Sequence, residues 1–217
     1  TQFSLGLLTM HPKTASSFSE VTRHMLNQSS LDVEALIRLD LASALAQGID
    51  CAGYYGTGTE FQPLGIANHP EVGKITFKQA QPSYEELVQM ETAIALRNAD
   101  QNSMVYVGNA ALRGHAKSTL RTPGVNGSFM MWEEGGFLNG YRAEITNQIA
   151  TGDVFMGNFN DLIIGLWGGL ELTVDPFSHS TKGRLRVVVF QDVDFVLRRP
   201  ESFCVGRGAS VASKKDT

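Results

Sequence analysis

The glycine-rich segment Gly56-Thr57-Gly58 is the first place in this sequence where residue types and spacing could support chemistry. Glycines let backbone N–H groups approach a phosphate, but a phosphate-binding loop also needs a Lys followed by Ser or Thr at a helix start. The residues here are Glu-Phe-Gln-Pro at positions 60–63. The loop also follows a predicted helix, whereas a dinucleotide-binding loop follows a strand. The pattern favours a structural turn, with an enzyme that binds a phosphorylated ligand as the weaker alternative.

The other reactive side chains are scattered. No histidine pairs with another His, a Cys or a carboxylate at metal-ligand spacing; the histidines are His11, His24, His69, His115 and His179. Glu133 and Glu134 are adjacent in a glycine-rich stretch, which is typical of a solvated loop tip, whereas an acid–base pair needs two environments that separate the pKa values. No nucleophile motif is present. The sequence therefore predicts no catalytic, cofactor-binding or metal-binding residue, and a protein that is not an enzyme.

Composition is that of an ordinary globular protein. The 217 residues are 42% hydrophobic and 18% charged, enough for one large domain or two small ones. The net charge of −4 is unlike that of a free-standing nucleic-acid-binding protein.

Cys51 and Cys204 are predicted to be free, buried thiols in a reducing compartment. No apolar run approaches the roughly 20 residues that span a bilayer, and no signal peptide is visible. The start at Thr1, without an initiator Met, predicts a fragment or a processed product.

Helical patterns dominate the first half, after a predicted strand at 3–10 and a possible short helix at 21–27. The main helix is predicted to begin at Ser29, with Asp32 in capping-box register and Gly48 placed to help end it. Its apolar residues recur at three- and four-residue spacing; they are Val33, Leu36, Ile37, Leu41, Ala44 and Leu45. Two further helices are predicted to begin at the caps Ser83 and Asn109.

Strand patterns dominate the second half. They follow a glycine-rich stretch, 122–140, that predicts a surface loop. The predicted strands are 74–78, 104–107, a strand around 145, 154–156, 162–167, 170–174, 185–190 and 193–197. Between two of them, Trp167-Gly168-Gly169 predicts a bend or bulge with Trp167 packed in a core. Because helices cluster first and strands later, the predicted fold class is α+β.

Four segments, taken in order, resemble one known family. They are LNQSSLDVEALIRLDLASALAQGID at 26–50, YGTGTEFQPLGIAN at 55–68, GYRAEITNQI at 140–149, and 157–203, which includes DLIIGLWGGLELTVDP and VVFQDVDFVLRRPESF. These segments are similar to the major capsid (head) proteins of tailed bacteriophages, in which the first corresponds to a long spine helix. The last segment is the most specific, and together they cover most of the chain.

The resemblance implies the phage major-capsid fold. That fold has a peripheral domain, with the spine helix and a long sheet, and an axial domain, with helices on a central sheet. By similarity, residues 1–78 and 171–198 would form the peripheral domain, without the N-terminal arm and most of the long hairpin loop. Residues 79–170 and 199–217 would form the axial domain.

The resemblance also implies a function. The chain would be a structural subunit that self-assembles into pentamers and hexamers of an icosahedral shell around double-stranded DNA, bound without sequence specificity. Expected partners are further copies, a scaffolding segment, a protease and portal proteins, with no membrane. Expected locations are the virion capsid and, during assembly, the bacterial host cytoplasm. The alternative is an encapsulin-like nanocompartment shell, which shares this fold.

Some contact residues follow from the same resemblance. Arg142 and Glu144 are predicted to take part in assembly, and the loop at 122–140 is predicted to lie near a capsomer centre or edge. Some family members form a covalent Lys–Asn crosslink. The corresponding region here, 182–186, has no Asn, so that chemistry is not carried over.

Overall fold

The computed structural model describes residues 7–22, 33–99, 103–122, 124–125, 127–178 and 182–209. In chain order its helices and strands are β1 (Lys13–Thr22), α1 (Val33–Tyr55), β2 (Gly73–Thr76), α2 (Tyr84–Ala95), β3 (Met104–Gly108), α3 (Ala110–Ser118), β4 (Trp132–Glu133), β5 (Phe137–Leu138), β6 (Tyr141–Ile145), β7 (Asp153–Asn158), β8 (Leu162–Asp175), β9 (Arg184–Leu197) and β10 (Phe203–Arg207). The predicted α+β class is confirmed. None of the helices in these ranges has both the length and the apolar character needed to cross a membrane.

The chain divides into two compact units. The first contains Thr1–Gly65 and Ile164–Val196, and the second contains Ile66–Ile163 and Leu197–Thr217. These limits differ from the domain limits expected from the sequence. Residues 66–78, which the sequence grouped with the spine helix, carry β2, and β2 pairs with β10 in the second unit. The pairing of strands that are distant in the sequence therefore determines where one compact unit ends and the other begins.

The first unit is built on a three-stranded sheet of order β1-β9-β8. β1 runs antiparallel to β9, with Lys13 opposite Val193 and Thr22 opposite Arg184. The predicted helix at 21–27 is therefore wrong at Val21 and Thr22, which are the last residues of β1; its other residues lie outside the described ranges. Of the predicted strand at 3–10, residues 7–10 have no regular structure and 3–6 are not described.

Helix α1 packs on one face of this sheet. Leu41 and Leu45 are buried against Val187 and Val189, and burying one such side chain is worth about 1.5–3 kcal/mol. The predicted end of the helix near Gly48 is wrong, because the helix continues to Tyr55. Gly48 is on the exposed side, where a helical glycine costs only about 1 kcal/mol. The packing of the neighbouring turns therefore outweighs its low propensity.

The second unit is built on a seven-stranded sheet of order β2-β10-β7-β3-β6-β5-β4. β2 pairs in parallel with β10, and β3 pairs in parallel with β6. The other pairs are antiparallel. Helices α2 and α3 supply side chains to one core with the sheet; its fully buried members include Leu87, Met90, Tyr106, Leu112, Met131, Leu138, Met156 and Cys204.

Both predicted helix caps in the second unit are confirmed. The Ser83 hydroxyl accepts the Glu86 backbone N–H at 3.4 Å, and the Glu86 carboxylate accepts the Ser83 backbone N–H at 2.8 Å. The Asn109 side chain accepts the Leu112 backbone N–H at 3.0 Å. These contacts satisfy N–H groups that have no partner within a helix, and they fix where α2 and α3 begin.

Candidate interaction surfaces

The Gly56-Thr57-Gly58 segment uses its backbone amides within its own turn. The Gly56 N–H donates to the Ala52 carbonyl at 2.8 Å, and the Gly58 N–H donates to the Pro63 carbonyl at 3.1 Å. A side chain at Gly56 would place its Cβ 2.2 Å from the Pro63 carbonyl oxygen. Glycine is therefore required here by a close backbone crossing. A phosphate would have to displace these internal hydrogen bonds.

The described histidines hold separate local contacts. The His11 backbone N–H donates to the Asp194 carboxylate at 2.8 Å, and the His115 ring lies 3.2 Å from the Pro82 carbonyl. The pKa of His69 is lowered by burial, which outweighs the opposite effect of Glu71. His24 and His179 lie outside the described residues. In the described ranges no three His, Cys, Asp or Glu side chains are placed to share a metal ion.

Glu133 and Glu134 have different surroundings. Glu133 forms an ion pair with Arg121 at 2.5 Å and accepts the Gly140 N–H at 3.0 Å, whereas Glu134 is exposed. The predicted loop at 122–140 is wrong in part, because it contains β4 and β5 and buries Met131 and Leu138 completely. Phe129, at 78%, is the most exposed of its described large apolar residues. Glu133 thus holds this hairpin in place.

The two cysteines differ in access to solvent. Cys204 is buried in the core of the second unit, and burial raises the pKa of its thiol to about 11. Cys51 is exposed on α1. The prediction of two buried thiols is therefore wrong for Cys51, which lies beside the open groove between α1 and β1.

Strand β8 exposes a series of large apolar side chains in the first unit. It is one continuous strand where two, 162–167 and 170–174, were predicted. Within it Gly168 has a positive φ of 70°, the backbone conformation that the predicted bend or bulge would use. Trp167, predicted to be in a core, is 37% exposed. Several other large apolar side chains of the strand are also exposed; they are Ile164 (53%), Leu166 (60%), Leu170 (48%) and Val174 (47%). A strand of this kind at a sheet edge is a surface for association.

A groove runs along the opposite edge of the same sheet. Its volume is about 530 Å³, and its walls are β1 residues 13–17, one side of α1 and the turn at 61–63. The α1 residues are mostly small, including Ala44, Gly48, Cys51 and Ala52. At one wall Phe61 is 83% exposed. Small side chains along a strand edge leave room for the backbone of another extended segment.

The predicted contact residues Arg142 and Glu144 lie on β6 and pair with each other. Their side chains form an ion pair at 2.5 Å and remain 72% and 51% exposed. Residues two apart on a strand share a face, which explains the pairing. Both groups are accessible to another molecule.

Sequence comparison shows to which protein family the chain belongs. The Phage capsid family model matches residues 1–208 of the chain. The chain belongs to the phage capsid family. It is 32% identical, over 207 residues, to the major capsid protein of Halomonas phage phiHAP-1, and that match covers 95% of this chain and 34% of the relative. The chain thus spans about a third of the length of this curated relative.

Solved structures confirm the capsid fold. The chain resembles the capsid of an empty GTA particle with a TM-score of 0.72, at 16% identity, covering 94% of this chain and 75% of that one. It resembles a chain of Gordonia phage Cozz with a TM-score of 0.69, at 13% identity, covering 97% and 78%. A virus-like particle from Pyrococcus furiosus matches with a TM-score of 0.60, at 15% identity, covering 90% and 77%.

Two surfaces of this capsid-family chain were not predicted from the sequence: the exposed row on β8 and the groove beside β1. The one available signal was the run Leu-Ile-Ile-Gly-Leu-Trp at 162–167, which does not alternate between apolar and polar residues. Such a run indicates a strand that is apolar on both faces. It does not distinguish a strand buried in its own chain from one that another chain covers.

Proposed function

We propose that this chain is part of a major capsid subunit, and that copies of the subunit self-assemble into pentamers and hexamers that form an icosahedral phage shell around double-stranded DNA. The observation that carries this proposal is the exposed apolar strand β8 in a chain of the phage capsid family. Soluble monomers rarely leave such a strand uncovered.

Several weaker observations support a structural rather than a catalytic role. The described side chains of the residue types used in catalysis are separated, and their hydrogen bonds hold local turns and caps. The net charge of −4 is compatible with a protein shell that encloses DNA without binding it tightly. Subunits of one kind that meet through different surfaces close into rings, and many weak contacts then give a stable shell.

The same proposal extends to domains, partners and location. The first unit would serve as the peripheral domain and the second as the axial domain. A scaffolding segment, a protease and portal proteins would be partners during assembly in the bacterial cytoplasm, and the mature location would be the virion. The phiHAP-1 capsid protein is about three times as long as the matched region, which leaves room in that relative for further segments.

Negative-stain electron microscopy tests the central claim. The full-length parent product should be expressed with and without its neighbouring genes, and closed particles of uniform diameter are the expected result. A parent protein that stays monomeric in both cases, at every concentration tested, would contradict the proposal.

An encapsulin-like compartment is the second candidate function. The observation in its favour is the similarity to a virus-like particle from Pyrococcus furiosus, which at 15% identity concerns the fold alone. The contents of purified particles distinguish the two functions. A phage head should contain nuclease-protected DNA when its packaging genes are present, whereas a compartment should contain protein cargo and no DNA.

A further inference from the structure

We propose that β8 of one copy adds to the free edge of β1 in a neighbouring copy and lies in the groove beside α1. This inference rests on the proposed capsid function and names the surfaces of one contact between subunits. Within the described ranges, β1 and β8 are the two outer strands of the sheet, and each pairs only with β9, on one side. Extended segments bind such edges through backbone hydrogen bonds.

The receiving side has the shape that an added strand needs. Five consecutive β1 residues, 13–17, line the groove, together with Val193 of β9 at one end, so the groove runs along β1. Its α1 wall includes the small residues Ala44, Gly48 and Ala52, beside the larger Leu45, Ile49 and Tyr55. A side chain built on Gly48 would meet no atom within 4 Å. An incoming backbone can therefore approach the helix while it pairs with β1.

The donor side has the matching composition. β8 is 14 residues long, and neither Lys, Arg nor Pro interrupts it; these are the residues that natural edge strands use to prevent pairing. Its exposed apolar residues Leu166 and Leu170 would leave water on entering the groove. Burial of such side chains is the main favourable contribution to protein association.

Charge complementarity favours a second copy as the occupant. Lys13, at one end of the groove, donates to the Thr59 and Gln62 carbonyls at 2.8 and 2.5 Å, and no described carboxylate forms an ion pair with it. Glu171 is the exposed carboxylate within the apolar part of β8, and it too lacks an ion pair with any described residue. A polyanion such as DNA would be repelled by Glu171 and would leave the apolar row uncovered.

This contact is heterologous, because one copy offers β8 and the other offers β1. A pair joined in this way keeps one unused β8 on one copy and one unused β1 edge on the other, so further copies can add until a ring closes. Such a contact supports rings of several copies, as the proposed function requires, and does not stop at a dimer.

Disulfide crosslinking tests the contact, because the native Cys51 lines the groove and is exposed. Leu166→Cys and Leu170→Cys place a thiol on β8. After mild oxidation of the expressed chain, we expect covalent dimers and higher oligomers on non-reducing gels, with a disulfide between position 166 or 170 and Cys51 in peptide mass spectra. Adding Cys51→Ser to either variant should remove that disulfide. Ser118→Cys, exposed at the end of α3, is the control for random collision.

A matched pair of glycine substitutions tests the groove without new thiols. Gly48 and Gly114 are both helical, and a Cβ on either meets no atom within 4 Å. Gly48→Leu should fill the groove and reduce particle or oligomer yield at least tenfold, whereas Gly114→Leu should leave the yield within twofold. Both variants should melt at or above the temperature of the parent chain, because leucine favours the helix.

The outcomes separate this inference from the proposed function. Particles that form while the β8–Cys51 disulfide stays at the level of the Ser118→Cys control would overturn the inference and leave the capsid function standing. Normal assembly of Gly48→Leu would do the same. A third outcome is that the expressed chain forms the crosslinked oligomers but its full-length parent never forms particles. That result would support the contact between β8 and β1 and would contradict the proposed capsid function.

Discussion

Asp161 and Arg198 are joined at two points. The Arg198 backbone N–H donates to the Asp161 carbonyl at 2.8 Å, and the Arg198 guanidinium lies 2.9 Å from the Asp161 carboxylate. That carboxylate is buried and also accepts the Ser202 hydroxyl at 2.8 Å. The chain leaves the second unit after Ile163 and returns to it at Leu197. Asp161 lies just before the point where the chain leaves the second unit, and Arg198 lies just after the point where it returns. The ion pair therefore holds these two chain segments together within the second unit.

We expect Asp161→Asn to lower the free energy of unfolding by about 1–3 kcal/mol, because it removes a charged acceptor from a buried site. The loss should be smaller than for a fully buried pair, since the Arg198 side chain is 62% exposed. Urea denaturation measures the change. The control is Glu144→Gln, in an exposed pair, with an expected effect below about 0.5 kcal/mol. Equal stability of the two variants would contradict this role for Asp161.

The Glu86 carboxylate should make stability depend on pH. Burial alone would raise the pKa of Glu86, but hydrogen bonds from the Ser83 and Lys78 backbone N–H groups and the Ser83 hydroxyl lower it below its usual range. A lowered folded-state pKa gives stability that is present above the unfolded-state value, about 4.3, and is lost as the pH falls through the folded-state value. Glu86→Gln should therefore be less stable than the parent at pH 7, with the gap narrowing below about pH 4. A gap that stays constant with pH would show that the charge of Glu86 is not involved.

Gly157 on β7 should not tolerate a side chain. A Cβ there would lie 2.4 Å from Cδ1 of Phe203 and 2.7 Å from the Ser202 carbonyl oxygen. We expect Gly157→Ala to cost about 1–3 kcal/mol through overpacking. Gly114→Ala, in open space on α3, should instead stabilise by up to about 1 kcal/mol. Thermal denaturation of both variants compares them directly, and the reverse order of melting temperatures would contradict the packing around β7.

The two thiols should react at very different rates. Because burial raises the pKa of Cys204 to about 11, the folded protein should show one fast thiol with Ellman's reagent at neutral pH, from Cys51. Cys51→Ser should remove the fast phase, and both wild-type thiols should react after unfolding in guanidinium. Two fast thiols in the folded wild type would show that the core around Cys204 opens readily.

Charge reversal on β6 should separate folding from assembly. Arg142→Glu places like charges beside each other at an exposed position, so the free energy of unfolding should change by less than about 0.5 kcal/mol. In the full-length protein it should reduce particle yield if this strand meets a neighbouring subunit. Arg142→Lys, which keeps the charge, is the matched control. Normal particles from Arg142→Glu would remove these two residues from the proposed contacts.

Local chemistry in the sequence predicted the parts of the fold that are decided locally. The caps at Ser83 and Asn109 follow from side chains that bond to nearby N–H groups. β1 was not predicted, because its serine-rich sequence becomes a strand only by pairing with β9, more than 160 residues away. The continuity of β8 has the same origin, since its place in the sheet overrides the two glycines at 168–169.

Surfaces were harder to predict than elements. Trp167 and Cys51 were both expected to be buried because of their residue types, and both are exposed. Residue type predicts that an apolar side chain will leave water. It does not show whether its own chain or another copy will cover it, and in a capsid-family chain this difference bears directly on function.

The order of strands in the two sheets has a consequence for synthesis on the ribosome. β9 is the middle strand of the first sheet, and β10 lies between β2 and β7 in the second. Both strands come from residues 184–207. During synthesis, β1 and β8 are therefore made before β9, which joins them, and β2 and β7 are made before β10. Neither unit can close until that stretch has emerged. Under the proposed function, both sheets of a subunit would therefore be completed only late in its translation, when β9 and β10 pair with strands made earlier.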